Sequence, residues 1–250
     1  MKIRFISLVL TFYLVQCLAS LGFAQGNSDN SVSSNDSKLG YGIKTGANMS
    51  ILTNHKGTSF STLGYGFSAG VFTSYKLIDF VSVIGEVSYT EQNYLKIDES
   101  IIFNTNGPMF SSEYIDETNT HLNFKNIEGV IKINITPFSS NKFNPSIFVG
   151  YSAAYMFNVN ANIERTYNRN SNSTLPSNTT NGYYDISNRF KYFNHSIIMG
   201  IGSEIELGGS TIKALTIELD YKYGLNNINN ISFLKEFSTN SFDLIIGVKF

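Results

Sequence analysis

The chain has 250 residues, with 15 Tyr, 20 Phe and 20 Gly against 4 Pro, 15% charged residues and a formal net charge of -1. This balance gives no basic surface for nucleic acid and no acidic tail. Cys17 is the only cysteine, so the rest of the chain has no disulfide framework and no thiolate metal site.

Lys2 and Arg4 precede an apolar run from Phe5 to Val15, broken only by Ser7 and Thr11, and Gly22-Phe23-Ala24 precedes Gln25. These features predict a secretory signal peptide over residues 1–24; a spanning helix needs about 20 apolar residues. Gln16, large and polar, is unsuited to the position before a lipidated Cys17. Residues 25–39, rich in Asn, Ser and Asp, read as a disordered leader, and 40–250 as one β-domain.

No other segment is long and apolar enough for a membrane helix, and mean hydropathy is only -0.05. The period of the pattern therefore decides. Strand side chains alternate between two faces, and that alternation recurs along the chain. The first predicted strand, about Gly40–Ile51, sets Tyr41, Ile43, Thr45, Ala47, Met49 and Ile51 against Gly42, Lys44, Gly46, Asn48 and Ser50. The second, about Gly64–Lys76, carries Tyr65, Phe67, Ala69, Val71 and Tyr75 on one face, and a very short link, Leu77–Asp79, leads to the third, about Phe80–Tyr94.

After a long polar insertion, the fourth strand runs about His121–Pro137, with Ile127, Ile131, Ile133 and Ile135 opposite Glu128, Val130, Lys132 and Asn134. Leu122 and Phe124 are out of phase with those isoleucines, which predicts a bulge near Asn126. A turn at Thr136–Phe143 leads to the fifth strand, about Asn144–Asn158, and a second long insertion to the sixth, about Phe190–Leu207. Gly208-Gly209-Ser210 reads as a hairpin turn into the seventh, about Thr211–Leu225, where Leu215, Ile217, Leu219, Tyr221 and Tyr223 alternate with Thr216, Glu218, Asp220, Lys222 and Gly224. The eighth, Ser241–Phe250, places Phe242, Leu244, Ile246, Val248 and Phe250 on one face.

Eight strands with connections alternating long and short predict an all-β fold, an eight-stranded antiparallel up-and-down transmembrane β-barrel. The competing architecture is a soluble lipocalin-like carrier, with the apolar faces lining a ligand cavity. Aromatics favour the membrane: Tyr75, Phe138, Phe143 and Phe250 fall near short turns and Tyr65, Tyr89, Tyr155, Tyr223 and Phe242 near long loops, as in two interfacial girdles. This reading places the protein in the outer membrane of a Gram-negative bacterium. Both termini are then periplasmic, and loops near residues 52–63, 92–120, 158–189 and 226–239 face outward.

The segments Gly42-Ile43-Lys44-Thr45-Gly46-Ala47-Asn48-Met49-Ser50, Gly66-Phe67-Ser68-Ala69-Gly70-Val71-Phe72, Glu86-Val87-Ser88-Tyr89, Asn126-Ile127-Glu128, Phe148-Val149-Gly150-Tyr151 and Glu218-Leu219-Asp220-Tyr221-Lys222-Tyr223-Gly224-Leu225 cover most of the chain from Gly40 onward. In order and spacing they resemble the outer-membrane β-barrel family of the Bacteroidota labelled PorT-like or porin-family. The resemblance implies the same fold and location and assigns no activity. A closing strand that ends in Phe250 likewise resembles those read by the outer-membrane insertion machinery.

With the polar faces inward, Lys44, Glu86, Glu128, Lys132, Glu204, Glu206, Glu218, Asp220, Lys222, Asp243 and Lys249 share one narrow lumen. Eight strands leave room only for side chains, so these charges are expected to pair into a rigid plug rather than line a wide pore. Glu204 with Glu206 and Glu218 with Asp220 could alternatively form a carboxylate cluster for acid chemistry or a hard cation. His55, His121 and His195 show no metal-ligand spacing. His195-Ser196 is the nearest fragment of a membrane-embedded hydrolase for lipid or peptide, but adjacent strand residues point to opposite faces.

Long polar loops on a rigid scaffold are where recognition usually sits. Tyr94, Phe103, Phe110 and Tyr114, with Tyr167, Tyr183 and Tyr184, are candidate anchors for a protein or glycan, or packing groups within the loops. The sequence thus predicts a non-enzymatic, monomeric barrel in outer-membrane lipid, with no cofactor, no metal and no nucleic-acid partner.

Overall fold

Runs in which every second side chain is apolar become strands only if both faces find a suitable medium. The computed structural model describes residues 38–53, 62–95, 115–137, 142–167, 178–207, 211–230 and 236–250, all within one compact unit, Lys38–Phe250. The predicted signal peptide, the leader up to Ser37, Phe138 and the Gly208-Gly209-Ser210 turn lie outside the described residues.

Nine strands are present among the described residues: β1 (Leu39–Thr53), β2 (Thr62–Ile78), β3 (Val81–Leu95), β4 (Ile115–Ile135), β5 (Phe143–Tyr167), β6 (Asn178–Asp185), β7 (Phe193–Glu206), β8 (Ala214–Gly224) and β9 (Ser238–Lys249). All pair antiparallel, in the order β4-β3-β2-β1-β9-β8-β7-β5, and β4–β5 pairing closes the ring of eight. Closure leaves the ring no free edge. The expected eight-stranded barrel is therefore present, and β6 is an addition to it.

β6 pairs with the outer part of β5, Asn160–Tyr167, while β7 pairs with its inner part, Phe143–Tyr155. β6 and β7 are thus one descending strand broken at residues 186–192, where a 3-10 turn, Ser187–Arg189, leaves the sheet. The sequence reading took this stretch for loop, because Asn178-Thr179-Thr180-Asn181-Gly182 carries turn residues rather than β-formers.

The expected irregularity near Asn126 has a different origin. Lys125 pairs with Asn158 and Asn126 with Met156, so the extra residue, Phe157, belongs to β5. β4 keeps its phase throughout, with Leu122, Phe124, Asn126, Glu128, Val130 and Lys132 all buried. Leu122 and Phe124 departed from the expected pattern because the lumen itself becomes apolar at that end.

The apolar series faces outward. Ile131 is 56% exposed and Leu219 46%, whereas Lys132 and Asp220 beside them are buried. This is the reverse of a soluble carrier, and so large an apolar surface is stable only in contact with lipid. Aromatic rings meet on the outside near the long loops, as in Phe67 with Tyr89 (5.7 Å), Tyr155 with Phe193 (5.4 Å) and Tyr221 with Phe242 (4.7 Å). At the short-turn end, Phe250 packs on Tyr41 at 6.0 Å.

Candidate functional site

The lumen is layered. At the short-turn end Lys249 Nζ donates to both oxygens of Glu204 at 2.9 Å, while Glu206 accepts from Asn144 Nδ2 at 3.1 Å. The suggested Glu204–Glu206 cluster is thereby split between two partners.

Above it, Lys132 Nζ lies 2.7 Å from Glu218 Oε2, 2.8 Å from Asp220 Oδ2 and 3.2 Å from Glu86 Oε1, and Lys44 also pairs with Glu86. Glu218 and Asp220 share one ammonium group, which is the structural pairing rather than a free acid site. The same ammonium sits 4.5 Å over the Phe148 ring. Phe148 packs with Val130 and Ile198 and its ring tip lies against Gly200, where an added Cβ would stand 2.5 Å from the ring and 2.3 Å from Leu219 O. Glycine here makes room for an aromatic inside a narrow barrel.

The next layer centres on Lys222, whose Nζ lies 2.6 Å from Glu128 Oε2 and 2.9 Å from Asp243 Oδ2. Each lumen charge predicted from sequence thus takes part in an ion pair or hydrogen bond, and all but Glu206, which is exposed at the end of β7, are at least half-buried. Polar side chains follow, among them Asn48, Ser50, Thr90, Asn126, Asn194 and Ser241, all buried.

The long-loop end is closed by a cluster that the sequence reading did not assemble. Leu52, Tyr94, Leu122, Phe124, Met156, Val159, Ile186, Phe190, Ile228 and Phe237 form one buried apolar core. Phe124 meets Tyr94 edge-on at 5.2 Å and Phe190 at 5.0 Å. Tyr94, which from sequence could either anchor a partner or pack the loops together, is fully buried here and takes the packing role. The inserted turn supplies Ile186 and Phe190, and the β8–β9 connection supplies Ile228 and Phe237.

Backbone bonds fasten these segments, with Lys191 N–H donating to Ile228 O at 2.8 Å and Asn230 N–H to Arg189 O at 2.9 Å. Asp185 Oδ1 accepts the Ser187 hydroxyl at 2.6 Å and its N–H at 3.0 Å, which holds this exposed carboxyl below the usual carboxylate range.

Beyond the cap, the outer parts of β4 and β5 continue with β6 as a three-stranded ribbon. Tyr183 is 71% exposed on it, and Tyr184 is exposed beside it, with its ring over Gly182. Phe103, Phe110 and Tyr114 lie outside the described residues, as does the Tyr167 side chain.

His195 faces outward and Ser196 inward, so the two form no dyad; His195 Nδ1 meets Tyr151 OH at 2.6 Å. His121 lies on β4 and His195 on β7, and His55 is outside the described residues. Among the described residues no group of three or more His, Cys, Asp or Glu is placed to hold a metal.

A closed barrel with a lipid-facing apolar belt and a packed, charged interior defines an outer-membrane β-barrel protein. The family model described as outer membrane protein beta-barrel domain matches residues 23–230, and the chain belongs to that family. Similar solved structures include Ail, the attachment invasion locus protein of Yersinia pestis, at 12% identity over 85% of this chain and 99% of that one, TM-score 0.38. Neisserial surface protein A is 13% identical over 84% and 95%, with a TM-score of 0.39. OprG from Pseudomonas aeruginosa is 10% identical over 85% and 94%, with a TM-score of 0.39. No curated protein matches the chain.

Proposed function

We propose that the protein is a non-enzymatic, monomeric surface-interaction barrel of the PorT-like group in Bacteroidota, which meets a protein or glycan partner through its long-loop end. In this reading the long loops face the exterior and both termini the periplasm, where the insertion machinery reads the last strand through Phe250. The observation that carries it is the β4–β5–β6 ribbon, a built extension beyond the barrel that presents Tyr183 and Tyr184 to solvent. Exposed tyrosines on a rigid strand offer large contact area at small entropic cost. A catalytic reading gains no support from the separated His195 and Ser196.

The experiment is a Tyr183→Ser, Tyr184→Ser double variant displayed on cells beside the unaltered protein. Heat-modifiable migration should be unchanged and binding to host-protein or glycan arrays reduced at least tenfold. An intact variant barrel with undiminished binding would remove the ribbon from the interaction. Protease access to the long-loop end only from the periplasm would reverse the orientation.

A further inference from the structure

We propose that the polar chamber beside Lys222 binds one small monovalent cation of the sodium class. The chamber has a volume of about 20 Å³, and Thr90, Asn126, Glu128, Asn194, Ser196 and Ser241 are among its walls. Room for an occupant of water size takes about 10–15 Å³, so a single bare or partly hydrated ion fits and an organic ligand does not.

Charge counting gives the first reason. Glu128 is 5% exposed and Asp243 1%, and both rely on the single ammonium of Lys222. No other lysine of the lumen is spare, since Lys132 is held by Glu86, Glu218 and Asp220, Lys44 by Glu86 and Lys249 by Glu204. The Lys132 group also has one more carboxylate than ammonium, but its Glu218 reaches toward solvent with 15% of its side chain exposed. In the Lys222 group both carboxylates are more deeply buried, with 6% of the Glu128 side chain and 2% of that of Asp243 exposed, and only the lysine, at 11%, reaches outward. A net negative charge held away from water is costly until a counter-charge joins it.

The second reason is independent of charge. Asn126 is 5% exposed, and its Oδ1 is a buried acceptor without a donor. Asn194 spends its Nδ2 on Thr239 Oγ1 at 2.7 Å and leaves its own Oδ1 equally without a donor. Two amide oxygens, hydroxyls from Thr90, Ser196 and Ser241 and one carboxylate give the walls hard oxygen donors, and the one cationic group among them, the Lys222 ammonium, is already held by Glu128 and Asp243. Such a set suits an alkali ion, whereas soft or divalent metals ask for thiolate, imidazole or several carboxylates. A cation at this place neutralises the Glu128–Lys222–Asp243 group and gives both amide oxygens a partner; a water molecule does only the latter.

The test uses the purified barrel in zwitterionic detergent, exchanged into choline chloride and then titrated with NaCl at constant ionic strength and fixed pH. The readout is the midpoint of thermal unfolding, followed by heat-modifiable migration. Binding to the folded state alone raises the midpoint by about 3–5 °C for each tenfold increase of Na⁺ above half-saturation. The same series on Asn126→Ala should lose most of that response while the barrel still folds in choline. Broadening of the ²³Na resonance by the unaltered protein, absent with Asn126→Ala, gives a readout that does not depend on stability. A midpoint indifferent to Na⁺ over choline overturns the proposal, as does an equal response in Asn126→Ala. A midpoint that follows pH but not Na⁺ also overturns it, because a proton then supplies the counter-charge.

Discussion

Lys132 Nζ stands 2.8 Å from Asp220 Oδ2, a contact across the lumen between β4 and β8 that spans 88 residues of sequence. These strands are not neighbours in the sheet, so the pair ties opposite walls that backbone hydrogen bonds do not join. Around it the lumen is crowded by ion-paired side chains from four strands.

Removal of the central ammonium leaves Glu218 and Asp220 without a cation, beside a Glu86 that keeps only Lys44, in a place with little water. Lys132→Met should therefore destabilise the barrel by about 3–5 kcal/mol, the range for one partner lost from a buried ion pair. Urea unfolding in lipid vesicles measures this, and Lys76→Met at the exposed Lys76–Asp79 pair (3.4 Å) serves as the control, with a change below about 1 kcal/mol.

Gly200 is predicted to be intolerant of the smallest side chain. An alanine Cβ would stand 2.3 Å from the Leu219 carbonyl, which belongs to the sheet and cannot turn aside. Gly200→Ala should cost about 1–3 kcal/mol by the same unfolding measurement, as overpacked cores do. Gly129→Ala, where the nearest atom is 4.0 Å away, should cost less than half as much.

The direction of the faces makes its own prediction. Leu219 points to lipid, so Leu219→Arg should destabilise the barrel by about 2–4 kcal/mol in vesicles if it lies near the bilayer midplane. In detergent micelles, where the belt is thinner and better hydrated, the penalty should shrink. Equal penalties in both media would mean that Leu219 does not meet the hydrocarbon.

Much of this was legible in the sequence because period-two alternation is a local property. Leu215, Ile217 and Leu219 against Glu218, Asp220 and Lys222 show which face is greasy, and eight strands then force the charges into one lumen. Which charges pair was not legible, since Lys132 meets Asp220 only after the ring has closed. The apolar cap was hidden for a different reason: Tyr94, Leu122 and Phe124 sit on the face expected to be polar. A signal was nevertheless present in β5, where inward Ser152 and Ala154 give way to Val159, Ala161 and Ile163 at odd positions, a phase change that marks the extra residue Phe157.

The cap should act as a separate closure of the long-loop end. Phe124 contacts Tyr94 and Phe190 edge-on, so Phe124→Ala should cost about 3–5 kcal/mol of local stability. Residues 186–192 and 225–230 should then be cut faster by added protease, while the barrel core still resists sodium dodecyl sulfate at room temperature. Unchanged cleavage would show that the turn and the β8–β9 connection are held by something other than this cluster.

The filled lumen is the claim on which the account depends, and single-channel recording in planar bilayers tests it most directly. With the ion-paired layers and the aromatic cap in place, the purified, folded protein should give no steady conductance steps above the bare-membrane baseline. Long-lived, uniform steps of large amplitude from the same preparation would contradict it, because ions would then be crossing where Lys132, Lys222 and Phe124 are packed.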